Sequence, residues 1–247
     1  MSQQAMYLVL TGLNATMERM TAATNNLANS STVAFKAQQP VFRAEPLYGQ
    51  GLPDRVDVAA AEDSADFKAG PIEQTGRPLD VAVSGPGWIG VQANDGSPAL
   101  TRNGSLSLSA SGILETSDGN PVLGQGGAPI TLPQLQTVTI GEDGTISGTL
   151  LGQPADQITT LNRIFLANPP ATSLKRRSDG LFQDQAGPSA ADAAVKLQVG
   201  SLEGSNANSV ALMMSMIESA RMFQMQTQLV HMTISQGQGQ SSPLTLS

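Results

Sequence analysis

Cysteine is absent from the 247 residues, so neither a disulfide framework nor a thiolate metal site is open to this chain. A single histidine, His231, removes histidine clusters as metal sites and leaves no histidine beside a serine nucleophile. Aromatic residues make up 4% of the chain and charged residues 13%, with Gly, Ser, Thr, Asn and Gln filling the gap. That balance favours short strands and turns over the scaffold of a helical enzyme. Thirteen Lys and Arg against twenty Asp and Glu give a net charge of -7, so no overall positive field gathers nucleic acid or anionic lipid. No apolar run approaches the ~20 residues of a membrane span. The start, Met1-Ser2-Gln3-Gln4, carries no basic region, and residues 6–10 are too short for the core of a secretory leader before Thr11 and Asn14 interrupt them. What is present is 40% hydrophobic residues, enough to build a core.

Those apolar residues are patterned in two ways. Met6, Leu10, Leu13, Met17, Met20, Thr24 and Leu27 step by fours and threes, as one seam of a helix requires. A second seam, Met213, Met216, Ala220, Phe223, Thr227, Val230 and Ile234, stands near the other end, with Val210, Leu212, Ile217 and Leu229 flanking it. A helix apolar on more than one side needs more than one neighbour. The first helix is expected over residues 3–28, closed by the turn-forming Asn25, Asn26, Asn29, Ser30, Ser31 and Thr32. The second starts after Asn208 or Ser209, either of which can cap it, and ends near Ile234 before a polar Gln, Gly and Ser tail.

Between the helices the text reads as β-structure. Pro40, Pro46, Pro53 and Pro71 forbid long helices, so residues 36–76 read as an extended linker with edge strands. Asp95-Gly96, Asn103-Gly104, Ser111-Gly112, Asp118-Gly119 and Asp143-Gly144 punctuate short apolar alternations, the pattern of antiparallel hairpins. The fold class is therefore mainly β with terminal helices: a β-rich domain over 77–204, and an antiparallel coiled-coil pair formed by 1–35 with 205–247.

Chemistry is poorly represented. Gly85-Pro86-Gly87-Trp88-Ile89-Gly90 matches a dinucleotide-loop pattern in letters, but residues 88–92 read as a strand where such a loop must open a helix. His231 lies in the last turns of the second helix, where it faces free carbonyls and not a catalytic partner. Lys175-Arg176-Arg177 follows a double proline and reads as a solvated loop. No convergent polar site emerges, so no enzyme, metal or cofactor is expected.

Three ordered motifs carry a resemblance. Asn25-Asn26-Leu27-Ala28-Asn29 with Thr32 and Phe35-Lys36 resembles the N-terminal signature of the bacterial flagellar rod and hook proteins. Leu79-Asp80-Val81-Ala82-Val83, Gly85, Gly87, Trp88 and Val91, then Leu100-Thr101-Arg102-Asn103-Gly104-Ser105-Leu106, is similar to the β-domain stretch of that family. Leu202-Glu203-Gly204-Ser205-Asn206 with Asn208 resembles its C-terminal signature, and Arg221-Met222-Phe223-Gln224-Met225-Gln226 is most similar to a proximal-rod member. The resemblance implies a non-enzymatic subunit of the basal-body rod, the periplasm-spanning drive shaft that carries torque to the hook. It also implies terminal helices that polymerise with copies of itself and related axial subunits, and passage through the flagellar type III export apparatus without a cleaved leader. Neither nucleic acid nor a small-molecule substrate is implied. A distal-rod member is the near alternative, and a secreted β-rich adhesin or sugar-binding module a more distant one.

Three positions depart from the family's pattern. Ala34 stands where Gly is usual, which argues against a left-handed turn before Phe35. Ala207 and Ser209 stand where Val and Pro are common, which implies a less rigid lead into the second helix.

Overall fold

The computed structural model describes the backbone of residues 3–46, 56–154 and 156–239, and side chains at 9–42, 64–154 and 156–232. It is mainly β with one helix at each end, and divides into two compact units. One comprises Met1–Ala28, Gln38–Ser64 and Asn208–Ser247; the other comprises Asn29–Ala37 and Ala65–Ala207.

The first unit holds helix α1, Gln3–Ala28, the two strands β1, Gln38–Pro46, and β2, Val56–Ala65, paired only with each other, and helix α2, Ser209–Gly239. The segment expected as a linker thus begins with two long paired strands, because a proline next to a strand end or on an unpaired edge costs no ladder bond. Helix α2 starts where Asn208 Oδ1 accepts the Ala211 amide at 3.0 Å, so Asn208 and not Ser209 supplies the cap. Its backbone continues past Ile234 to Gly239, a correction to the stop expected there: a polar Gln and Ser sequence does not by itself end a helix. Residues 240–247 of the tail lie outside the described residues.

The second unit is the β body. Its strands are β3, Ile72–Gln74; β4, Val81–Ser84; β5, Trp88–Gln92; β6, Pro98–Thr101; β7, Leu106–Leu108; and β8, Leu114–Thr116. They continue with β9, Leu135–Ile140; β10, Thr145–Leu150; β11, Thr159–Arg163; β12, Leu166–Ala167; β13, Leu174–Arg176; β14, Phe182–Asp184; β15, Lys196–Val199; and β16, Ser201–Glu203. The sheets run β12-β5-β6-β14-β13 and β11-β10-β9, with two-stranded pairs β15-β4, β16-β3 and β7-β8. Asp95-Gly96, Ser111-Gly112 and Asp143-Gly144 make hairpin turns with positive φ at each glycine. Asn103-Gly104 does not. Gly104 instead presses its backbone on Val81, whose amide it accepts at 2.9 Å and whose carbonyl a Cβ would strike, so the dipeptide marks a close approach and not a turn.

The core follows the alternation. Val81, Ile89, Val91, Leu106, Leu114, Val122, Ile130, Ile146 and Ile164 are all within 1% of complete burial and form one cluster. A second cluster gathers Trp88, Phe182 and Phe67, whose rings lie 4.8–5.8 Å apart, in tilted and edge-on arrangements. With few aromatics in the chain, concentrating three of them in one place gives the body a large apolar anchor.

Candidate assembly interface

In the helical unit, α1 and α2 pack on each other. Small and polar side chains make this contact. A Cβ on Gly12 would stand 3.3 Å from Gln226 Nε2, and the Thr16 hydroxyl lies 2.9 Å from Gly12 O and 3.2 Å from Gln226 Oε1. Thr16, Ala22, Ala23, Asn26 and Ser219 are buried among the described residues of the two helices. Asn26 clamps the start of β1: its Oδ1 accepts the Gln38 amide at 2.7 Å and its Nδ2 donates to Gln38 O at 2.9 Å. The Arg19 guanidinium lies 4.9 Å from the Phe42 ring centre.

The large apolar residues face outward. Leu10, Met17 and Met20 of α1 are exposed, as are Val210, Met213, Met214, Ile217, Met222 and Met225 of α2, with Met17, Met213 and Ile217 each at least half exposed. Leu13, Leu27, Met216, Ala220, Phe223 and Val230 are half-buried. The Met6 side chain lies outside the described residues. The exposed members of the seams are therefore left uncovered within the unit. A methionine-rich face is adaptable by nature, since the thioether is unbranched and polarizable, and exposed apolar residues gathered on two packed helices are the mark of a docking surface.

In the β body, a charged cluster that the sequence did not single out joins the three motifs. Glu203, from the C-terminal signature, is 1% exposed; its Oε1 accepts from Lys36 Nζ at 2.5 Å and from the Gly70 amide at 3.0 Å, and its Oε2 accepts from Arg102 Nη1 at 3.0 Å. Lys36, from the N-terminal signature, is fully buried and also donates to Lys68 O at 2.8 Å. Burial holds its ammonium below the ordinary lysine range, with the Glu203 carboxylate opposing that shift. Arg102, from the β-domain stretch, donates to Gly85 O at 2.8 Å and lies 5.4 Å from the Trp88 ring centre. The available signal was that charge is scarce in this chain, yet each signature carries a charged residue. The pairing itself spans 167 and 101 residues and has no local signature.

Around that cluster the motif residues lock the backbone. Asn206 Oδ1 accepts the Ala37 amide at 2.7 Å, and Asn206 Nδ2 donates to Asp66 O at 2.7 Å and Lys68 O at 3.0 Å. Ser205 Oγ accepts the Ala207 amide at 3.2 Å. Thr32 Oγ1 reaches Asn29 Oδ1 at 3.2 Å, and Phe35 is buried. Asn25, Ala28, Thr32 and Asn208 are exposed, whereas Asn29, Ser205 and Asn206 are half-buried. Ala34 adopts φ 57°, so the left-handed turn persists without glycine; its amide donates to Glu203 O at 2.7 Å, and that bond holds the strained backbone in place. The basic triplet is also not a free loop. Lys175 and Arg176 lie on β13, Arg176 donates to Lys36 O at 2.9 Å with its guanidinium 4.7 Å from the Phe35 ring centre, and Arg177 pairs with Asp95 and Asp179.

No group of three or more acidic or histidine side chains suited to a metal occurs among the described residues. No helix among them is long and apolar enough to cross a membrane.

The chain is 40% identical over 233 residues to the flagellar basal-body rod protein FlgF of Escherichia coli strain K12, covering 92% of each chain. It belongs to the flagellar FlgE/F/G rod and hook family. Residues 82–148 match the family model for the flagellar hook protein FlgE/F/G D1 domain, and residues 198–233 that for the flagellar basal body rod FlgEFG protein C-terminal region. The FlgF of Salmonella typhimurium strain LT2 is 36% identical over 247 residues, 97% of each chain. The rod protein FlgG of Buchnera aphidicola subsp. Schizaphis graminum is 29% identical over 250 residues, 92% of this chain and 94% of its own. In this FlgE/F/G member, Arg102 falls in the first matched segment, and Glu203 with most of α2 falls in the second.

Proposed function

We propose that this chain is a structural subunit of the bacterial flagellar basal-body rod, built into the proximal part of the shaft that carries torque to the hook. The observation that carries the reading is the outward-facing Met, Leu and Ile set on α1 and α2 in a chain 40% identical to a FlgF over 92% of its length. An assembly domain of residues 1–35 with 205–247 polymerises, its helices pairing as an antiparallel coiled coil. Met6, Leu10, Leu13, Met17, Met20 and Leu27 there meet Val210, Met213, Met216, Ile217, Ala220, Phe223 and Val230 of the same or neighbouring subunits. Residues 77–204 form the outer β domain. Its partners are copies of itself, related axial subunits and the type III export apparatus. It catalyses no reaction and takes no cofactor, nucleic acid or small-molecule substrate.

Complementation of a motile strain lacking its own copy tests the reading. Full-length chain restores swimming and deletion of Asn208–Ser247 abolishes both rod assembly and swimming; normal swimming by the truncated chain would point to the adhesin class instead. A distal position is the second reading, supported by the 29% identity to a FlgG over 92% of the chain. Cross-linking in isolated basal bodies separates the two, since contacts confined to hook-side subunits would exclude the proximal assignment.

A further inference from the structure

We infer that Glu203 is the closing charge of the β body: it docks the arm Asn29–Ala37 only when β16 has delivered its carboxylate, so the body completes its fold last at this edge. The inference stands apart from the rod reading, because it rests on the body alone.

The arm has no strand of its own. Lys36 Nζ on Lys68 O, Arg176 Nη1 on Lys36 O and the Asp66 amide on Ala37 O also touch it, but four bonds form one group: the Ala34 amide on Glu203 O at 2.7 Å, Lys36 Nζ on Glu203 Oε1, the Ala37 amide on Asn206 Oδ1 at 2.7 Å, and Phe35 O accepting the Asn206 amide at 3.2 Å. All four lead to residues 203–206. Without the Glu203 carboxylate, Lys36 and Arg102 would be two buried cations with no counter-charge, a state far costlier than an open arm in water. The same carboxylate accepts the Gly70 amide, and Gly70 has no room for a side chain because a Cβ would strike Gly204 O, so the 66–70 segment closes on the same residues. By contrast, the hairpins β5-β6 and β7-β8 pair residues close in sequence, and Ile89, Val91, Leu106 and Leu114 on them are buried in the main core. Loop-closure entropy rises with separation, so contacts 167 residues apart form after local ones. The backbone strain at Ala34, held only by a bond to Glu203, likewise has no support before closure.

Pulsed hydrogen exchange during refolding of the full chain tests the order. The amides of Ala93, Ser109, Val122 and Ile130, each bonded to a carbonyl close in sequence, gain protection first, and those of Ala34, Ala37, Gly70 and Asn206 follow in a slower phase; simultaneous protection, or the arm first, overturns the inference. Native-state exchange on full-length Glu203→Gln and Lys36→Met gives the second reading. Both speed exchange of the Ala34, Ala37, Gly70 and Asn206 amides at least tenfold and leave the hairpin amides within twofold. Lys36→Met keeps the Glu203–Arg102 pair and so reports even if Glu203→Gln does not fold. Uniform acceleration of both amide sets, or none in either, contradicts a separate closing step.

Discussion

Ala34 sits 8% exposed at φ 57°, in the one backbone region where a methyl group is a liability. Glycine removes that cost, so Ala34→Gly is expected to raise unfolding free energy by about 0.5–1 kcal/mol, read as a shift of the urea midpoint at unchanged slope. A lower midpoint would mean that the packing of this methyl outweighs the strain. Gly104 presents the opposite case. Its φ is ordinary, yet its position against the Val81 carbonyl leaves no space, so Gly104→Ala is expected to destabilise by ~3 kcal/mol, near the upper end of point substitutions. Thermal unfolding of the variant checks this, and a loss under ~1 kcal/mol would show that β4 can shift away. Both residues were visible in the sequence as departures or motifs, but the sequence misjudged each: the resistance of Ala to positive φ is overridden by a tertiary hydrogen bond, and Asn103-Gly104 serves packing where it had read as a turn.

At the scale of elements, α1 and α2 show why a helical apolar pattern predicts a helix better than it predicts its partner. The spacing of Leu10, Leu13, Met17 and Met20 identifies the helix, and α1 runs Gln3–Ala28 as that spacing requires. Which face is covered depends on what lies opposite, and the small residues Gly12, Thr16 and Ala23 admit the closer approach. Because Ile217 is 54% exposed, Ile217→Gln is expected to leave the unfolding free energy of the isolated chain within about 0.5 kcal/mol. The same variant is expected to cut incorporation into rods in the complementation strain, scored by immunoblot of purified basal bodies. Wild-type incorporation together with lost monomer stability would place Ile217 in an internal contact instead.

At the scale of the whole molecule, three carboxylates among the described residues are held below the usual range: Asp95 by the Ser97 hydroxyl and then Arg177, Asp143 by the Thr145 hydroxyl, and Asp184 by the Ala186 amide. A depressed native value means that the native state binds fewer protons than the unfolded chain in acid, so the stabilisation is complete above the unfolded carboxylate value of about 4 and drains as pH falls through the native values. Urea midpoints should therefore be level between pH 7 and 5 and fall below pH 4, with Asp95→Asn falling less over that interval; an identical fall in the variant would exclude Asp95 as a contributor. Composition, seam spacing and turn dipeptides by themselves determined that the chain is β-rich with a helix at each end, has no cysteine and a single histidine, and carries three motifs of one family, because these are local properties of type and period. Only the tertiary structure decided that the motifs meet at Glu203, that the Asn206 amide locks the arm, and that Met17, Met213 and Ile217 of the helices remain at least half exposed. Those outcomes depend on pairings more than a hundred residues apart, and the close packing that selects them leaves no trace in local spacing.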